Sequence, residues 1–233
     1  MCVAAIAWAA HPRWRLVAIA NRDEYHARAA APLSVWENGI LAGRDLEAGG
    51  TWLGAGHGRF ALVTNRRAAG YPRPGMTSRG ALVTDWLLGE DAGDVAAMNP
   101  FNLFTVGPDG ASLSTNFPVN DKRPLVPGIH SLSNGGLDEH WHKEARFEAA
   151  LRDWLDSGAE LEALFAPLAD LAPDPTKPDD FLSAPFVLNP GYGTRCSTVV
   201  AVDRDGQGQI IERRFDADGV VTGETALEFG WGS

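Results

Sequence analysis

The residue with the most pointed chemistry is Cys2. Removal of Met1 would leave a thiol and the free α-amine of the chain on one residue, a nucleophile beside its own base. An ordinary thiol titrates near ~8.5 and an α-amine near ~7.7–8.0, close enough to share a proton around neutral pH. A small second residue is also what the methionine-removing aminopeptidase tolerates. By position alone, a lone cysteine reads first as a small buried hydrophobe, which is how most free cysteines behave. The second cluster is Asn21-Arg22-Asp23-Glu24. A guanidinium beside a thiol favours the thiolate, and a carboxylate beside an α-ammonium orients it. Neighbours in a regular strand point to opposite faces, so Arg22 and Asp23 reach Cys2 together only where the strand ends or bulges.

Strands are what the surrounding pattern predicts. Cys2 to Ala9 is short and apolar, His11-Pro12-Arg13 marks a turn, and Leu16 to Ala20 is apolar again: a hairpin. Thr51 to Gly54 and Phe60 to Thr64 form a second hairpin, and Phe101 to Val106 with Ser112 to Thr115 a third around Pro108-Asp109-Gly110. Thr77 or Ser78 caps a helix whose Leu82, Val83, Trp86 and Leu87 share a face, stopped at Gly89. A longer helix is expected from about Asp138 to Asp156, a further one from Glu160 to Leu168, and a loop over 172–180 with its three prolines. Ser197 to Val202, Ile210 to Phe215 and Glu224 to Phe229 close the chain as strands. Hairpins, then helices, then hairpins predict an α+β fold of antiparallel sheet with helices layered on it, over 1–233 as a single domain.

Several ordered motifs accompany Cys2 and Asn21-Arg22-Asp23-Glu24. They are Gly49-Gly50-Thr51-Trp52-Leu53-Gly54, Ala61-Leu62-Val63-Thr64-Asn65, Ser78-Arg79-Gly80, Gly128 to Asn134, and Tyr192-Gly193-Thr194-Arg195-Cys196-Ser197-Thr198-Val199. Together the set resembles the NRDE family, also called the Transport and Golgi organization protein 2 family, over essentially the whole chain. Cys196 stands where that pattern carries a serine. The resemblance implies a four-layer αββα sandwich like that of N-terminal-nucleophile hydrolases. Within those, the cysteine branch of bile-salt hydrolases and penicillin V acylases is the nearest template. It implies Cys2 as nucleophile, Arg22 and Asp23 as the charged pair, Asn65 and Asn134 as the asparagines flanking an oxyanion, and Arg195 as a later arginine of the site. The adjacency of Arg22 and Asp23 differs from the wider spacing of that branch. One carboxamide donor at an oxyanion is typically worth about 3–4 kcal/mol in the rate.

The activity so implied is amide hydrolysis or acyl transfer on a small anionic or acyl substrate, with no cofactor. The alternative implied by the same resemblance is a non-catalytic carrier for haem or an acyl-CoA-type hydrophobic anion, since members are implicated in haem trafficking, lipid metabolism and Golgi organisation.

Charge and composition narrow the partners. The chain has 233 residues, 20 Lys plus Arg, 30 Asp plus Glu and a net charge of −10. The first 80 residues hold ten arginines against five acids, so the rest of the chain carries the negative excess. Such a field disfavours nucleic acid and anionic membrane while leaving a local attraction for a small anion. Two cysteines supply neither a disulfide framework nor a four-cysteine zinc site. His11, His26, His57, His130, His140 and His142 show no metal-ligand spacing. No apolar run approaches the ~18–20 residues of a membrane span, and the start lacks a basic leader. A cytoplasmic protein is expected.

Overall fold

The computed structural model describes residues Cys2 to Trp231. Strand β1 (Cys2–Trp8) and β2 (Trp14–Tyr25) form the opening hairpin, with Cys2 opposite Arg22 and Trp8 opposite Leu16. The chain then crosses to a second sheet and meanders through it in sequence: β3 (Ala30–Val35), β4 (Leu41–Asp45), β5 (Leu53–Gly56), β6 (Arg59–Asn65), β7 (Phe101–Gly107), β8 (Gly110–Thr115) and β9 (Asp121–Leu125). β10 (Gly128–Leu132) returns to the first sheet beside β1, and β11 (Tyr192–Asp203), β12 (Gln207–Phe215) and β13 (Val221–Gly230) extend it beyond β2. Every strand pair in both sheets is antiparallel.

Strand parity builds the layers. Ala4, Ile6, Leu16, Ala18 and Val200 pack inward against Phe60 and Phe104 of the second sheet. Their odd-numbered neighbours Val3, Ala5, Val17, Ile19 and Val199 face outward, against Phe147, Leu151 and Trp154 of α2 (His142–Ser157) and against α3 (Phe165–Leu168). On the far side, Leu82, Val83 and Leu87 of α1 (Gly80–Leu88) cover Ile40, Val63 and Leu103 of the second sheet. The result is an α+β sandwich of two antiparallel sheets between helices, four layers in the order αββα. Each fully buried Val, Leu, Ile or Phe among these is worth roughly 1.5–3 kcal/mol relative to its exposed state.

The expected helix at Asp138 begins four residues later. Trp141 keeps an extended backbone, and its N–H donates to Glu144 Oε2 at 2.9 Å, which starts the helix at His142. Gly89 and Gly158 end α1 and α2 with φ of 74° and 67°, the left-handed conformation that favours glycine. The region expected as one helix from Glu160 to Leu168 splits into a 3₁₀ turn (Leu161–Leu164) and the short α3. The hairpin of β3 with β4, and strands β9 and β10, are additions to the sequence reading.

Candidate functional site

Cys2 sits at the first position of β1, at the end of the sheet where β2 and β11 run past it. The register places Cys2 opposite Arg22 on β2, and Arg22 opposite Cys196 on β11. By the parity that sends Ala4 and Ala20 into the core, these three side chains share the face toward the second sheet. Asp23 takes the opposite face, where its Oδ1 accepts a 2.7 Å hydrogen bond from Thr194 Oγ1. β2 does not end at this pair; it continues to Tyr25. The irregularity falls on its neighbour instead: pairing slips between Thr194 and Cys196, leaving Arg195 as the extra residue of a bulge.

Arg22 is 5% exposed and joins the two sheets. Its guanidinium carbon lies 4.1 Å from the centre of the Trp52 ring, and its Nη2 is 3.7 Å from Asp45 Oδ2 at the end of β4. Gly43 makes room for this arrangement: a Cβ there would lie 2.5 Å from the Trp52 ring.

Cys2, Arg22, Asp23 and Asn65 border one cavity of about 310 Å³, at the small end of the range for small-molecule sites. Asn65 is exposed at the end of β6. Asn134 is completely buried and does not border the cavity; its Nδ2 donates to the main-chain oxygen of Asn65 at 2.5 Å. Next to it, Ser133 Oγ donates to the main-chain oxygen of Cys2 at 3.0 Å. The segment therefore ties the start of β1 to the end of β6. Arg195 also stands apart from the cavity. Its Nη1 donates to the main-chain oxygens of Tyr25, His26 and Arg28 at 2.9, 3.0 and 3.1 Å, holding the chain after β2.

Two basic residues join the site to which the sequence reading gave no role, although Arg79 stood in the Ser78-Arg79-Gly80 motif. Arg79, the residue before α1, borders the cavity. Lys143, at the start of α2, is 1% exposed, and its Nζ donates to the main-chain oxygen of Leu182 at 3.2 Å. Its position was visible in principle: Lys143 precedes Phe147 and Leu151 by four and eight residues, on the apolar stripe of the helix.

The electrostatics follow from burial. It pushes the Cys2 thiol above its ordinary range, with the Asp23 charge adding, while the Asp23 backbone amide and the Arg22 guanidinium pull it back. Burial likewise raises Asp23, opposed by the Lys143 ammonium and the Thr194 hydroxyl. Lys143 is lowered by burial and supported by Asp23 and Cys2. The Lys143 ammonium is thus supported by both Asp23 and Cys2, while the Asp23 carboxylate opposes the thiolate. The second thiol differs. Burial and the Glu212 charge raise Cys196 well above the usual range, so it is the less reactive cysteine.

Among the described residues, no group of three or more His, Cys, Asp or Glu side chains is placed to hold a metal ion. No described helix is long and apolar enough to cross a membrane. Met1, whose removal would free the Cys2 amine, lies outside the described residues.

Comparison with known proteins covers most of the chain. The Transport and Golgi organisation 2 family model matches residues 1–217. The human Transport and Golgi organization protein 2 homolog is 32% identical over 249 residues, covering 86% of each chain. The bovine homolog is 31% identical with the same coverage, and the Drosophila melanogaster Transport and Golgi organization protein 2 is 27% identical over 91% of each chain. With Cys2 and Asn21-Arg22-Asp23-Glu24 inside the matched span, the chain belongs to the Transport and Golgi organisation 2 family.

Proposed function

We propose that this protein is an N-terminal-cysteine hydrolase or acyl-transfer enzyme of the N-terminal-nucleophile type, acting on a small anionic or acyl substrate. The observation that carries the reading is the register of Cys2 opposite Arg22 at the edge of a cavity that Asn65 also borders. Once Met1 is removed, the Cys2 amine takes the thiol proton as Sγ attacks the substrate carbonyl. The Asn65 carboxamide donates to the oxyanion, and the amine returns the proton to the leaving group as the carbonyl re-forms and the thioester remains. Water then releases the acyl group, or a second acceptor takes it. Asp23, held by Thr194 and balanced by Lys143, orients the ammonium form of that amine. Asn134 acts through Asn65, and Arg195 through the chain after β2, as positioning residues.

The cavity wall favours this reading over a carrier for a hydrophobic macrocycle. It is charged, with Arg22, Arg28, Arg79, Asp23, Glu24 and Asp45. The test combines intact mass with an activated acyl ester, p-nitrophenyl acetate. Loss of Met1 and an acetyl thioester on the Cys2 peptide, absent in Cys2→Ala, support the proposal. Retention of Met1 in the folded protein, or equal ester turnover in Cys2→Ala, overturns it.

A further inference from the structure

The acids of the cavity wall are unevenly shared among its arginines. Asp45 Oδ2 lies 2.7 Å from Arg28 Nε and 3.7 Å from Arg22 Nη2. Arg28 also reaches Glu47 at 3.1 Å and Glu24 at 3.9 Å. Arg79 has none of these: its Nη1 donates to the main-chain oxygen of Pro100 at 3.2 Å, and no carboxylate of a described residue forms an ion pair with it. A guanidinium carries five N–H donors, so most of its capacity remains unused by the protein.

The surroundings of Arg79 add to its positive character. α1 begins at Gly80, whose N–H donates to Ser78 Oγ at 3.3 Å, and no acid in its first turn offsets the positive end of the helix dipole beside the same cavity. The backbone is packed tightly here; a Cβ on Gly50 would lie 2.6 Å from the Gly80 carbonyl carbon, so the loop before β5 and the helix start are held together. Burial also weakens the guanidinium's hold on its proton, an effect the Cys2 and Glu24 charges oppose. A partly desolvated guanidinium with free donors, in a cavity that also holds a thiol, is a receptor for an anionic group.

We propose that Arg79 receives a carboxylate of the molecule that Cys2 attacks, and so selects small carboxylate-bearing acyl compounds as the substrate class. The inference rests on Cys2 being the nucleophile, and its test separates the two claims. Iodoacetate and iodoacetamide are nearly isosteric alkylating agents that differ in a carboxylate. With either, the Cys2 thiolate sulfur forms a C–S bond as the C–I bond breaks and iodide leaves, the thiol proton having passed to buffer.

Rates are read on the Cys2 peptide by mass spectrometry, separately from the Cys196 peptide. The ratio of the iodoacetate rate to the iodoacetamide rate should exceed that of free cysteine in the same buffer by about tenfold. Arg79→Gln should bring the ratio down to the free-cysteine value, and Arg79→Lys, which keeps the charge, should retain part of the preference. A wild-type ratio equal to that of free cysteine, or one unchanged in both variants, overturns the inference while iodoacetamide labelling leaves the nucleophile reading standing. Failure of both reagents to modify Cys2 overturns the two together.

Discussion

The buried carboxamide of Asn134 is bonded to the backbone of Asn65, its Nδ2 2.5 Å from the Asn65 main-chain oxygen. The two asparagines are therefore coupled, one inside the protein and one at the cavity. Asn134→Ala removes the donor of this part-buried bond, typically worth about 0.5–1.5 kcal/mol. Urea unfolding should show that loss, and acetylation of Cys2 by p-nitrophenyl acetate should slow as Asn65 loses its support. Unchanged values for both would show that the bond does not position the site.

Because burial raises the Cys2 thiol, its alkylation should need a higher pH than that of free cysteine. Arg22 opposes that rise, so Arg22→Gln should move the iodoacetamide pH profile further upward. A stopped-flow profile at or below that of free cysteine would contradict the balance described.

Gly43 is filled by the Trp52 ring, with Glu212 Oε2 3.0 Å from the missing Cβ. Gly43→Ala must displace the ring on which Arg22 stacks. Overpacking of this kind typically costs about 1–3 kcal/mol. A lower melting temperature should appear together with slower Cys2 labelling; a stable variant with normal labelling would show that the stack is dispensable.

Glu212 lies between the sheets, 3% exposed, and accepts from the Leu33 N–H at 2.9 Å. Burial raises its carboxyl above the ordinary range, against the Leu33 amide and Arg214. The folded state thus holds this proton more tightly than the unfolded one, so stability falls as pH rises from near ~4.3 through the raised value. Glu212→Gln keeps an acceptor for Leu33 and removes the titration. Wild type and variant should melt alike near ~pH 4 and diverge in favour of the variant at neutral pH. The same difference at every pH would refute this account.

The opening hairpin, though not its register of Cys2 opposite Arg22, was legible because β1 and β2 are apolar runs separated by a turn at His11-Pro12-Arg13. β3 was not, since Leu33 is its one fully buried residue, and β9, Asp121-Lys122-Arg123-Pro124-Leu125, is a polar edge strand whose order comes from pairing with β8. Cys2, Arg22, Asp23 and Asn65 border one cavity, a grouping that the family resemblance implied and strand periodicity alone did not. The separate anchoring of Asn134 and Arg195 was hidden, because it depends on main-chain oxygens 69 and about 170 residues away in sequence. Lys143 was obscured by its polar neighbours His142 and Glu144, although the helical period points it inward.

At Arg195, β11 changes the frame in which its sequence is read. Before it, even-numbered Thr194 meets Asp23 beneath the helices; after it, even-numbered Cys196 and Val200 turn to the interior between the sheets. One supernumerary residue thus lets a single strand serve two masters, its apolar half filling the space between the sheets and its Thr194 hydroxyl holding Asp23. Excising that residue would merge the frames and force the strand to abandon one of those tasks.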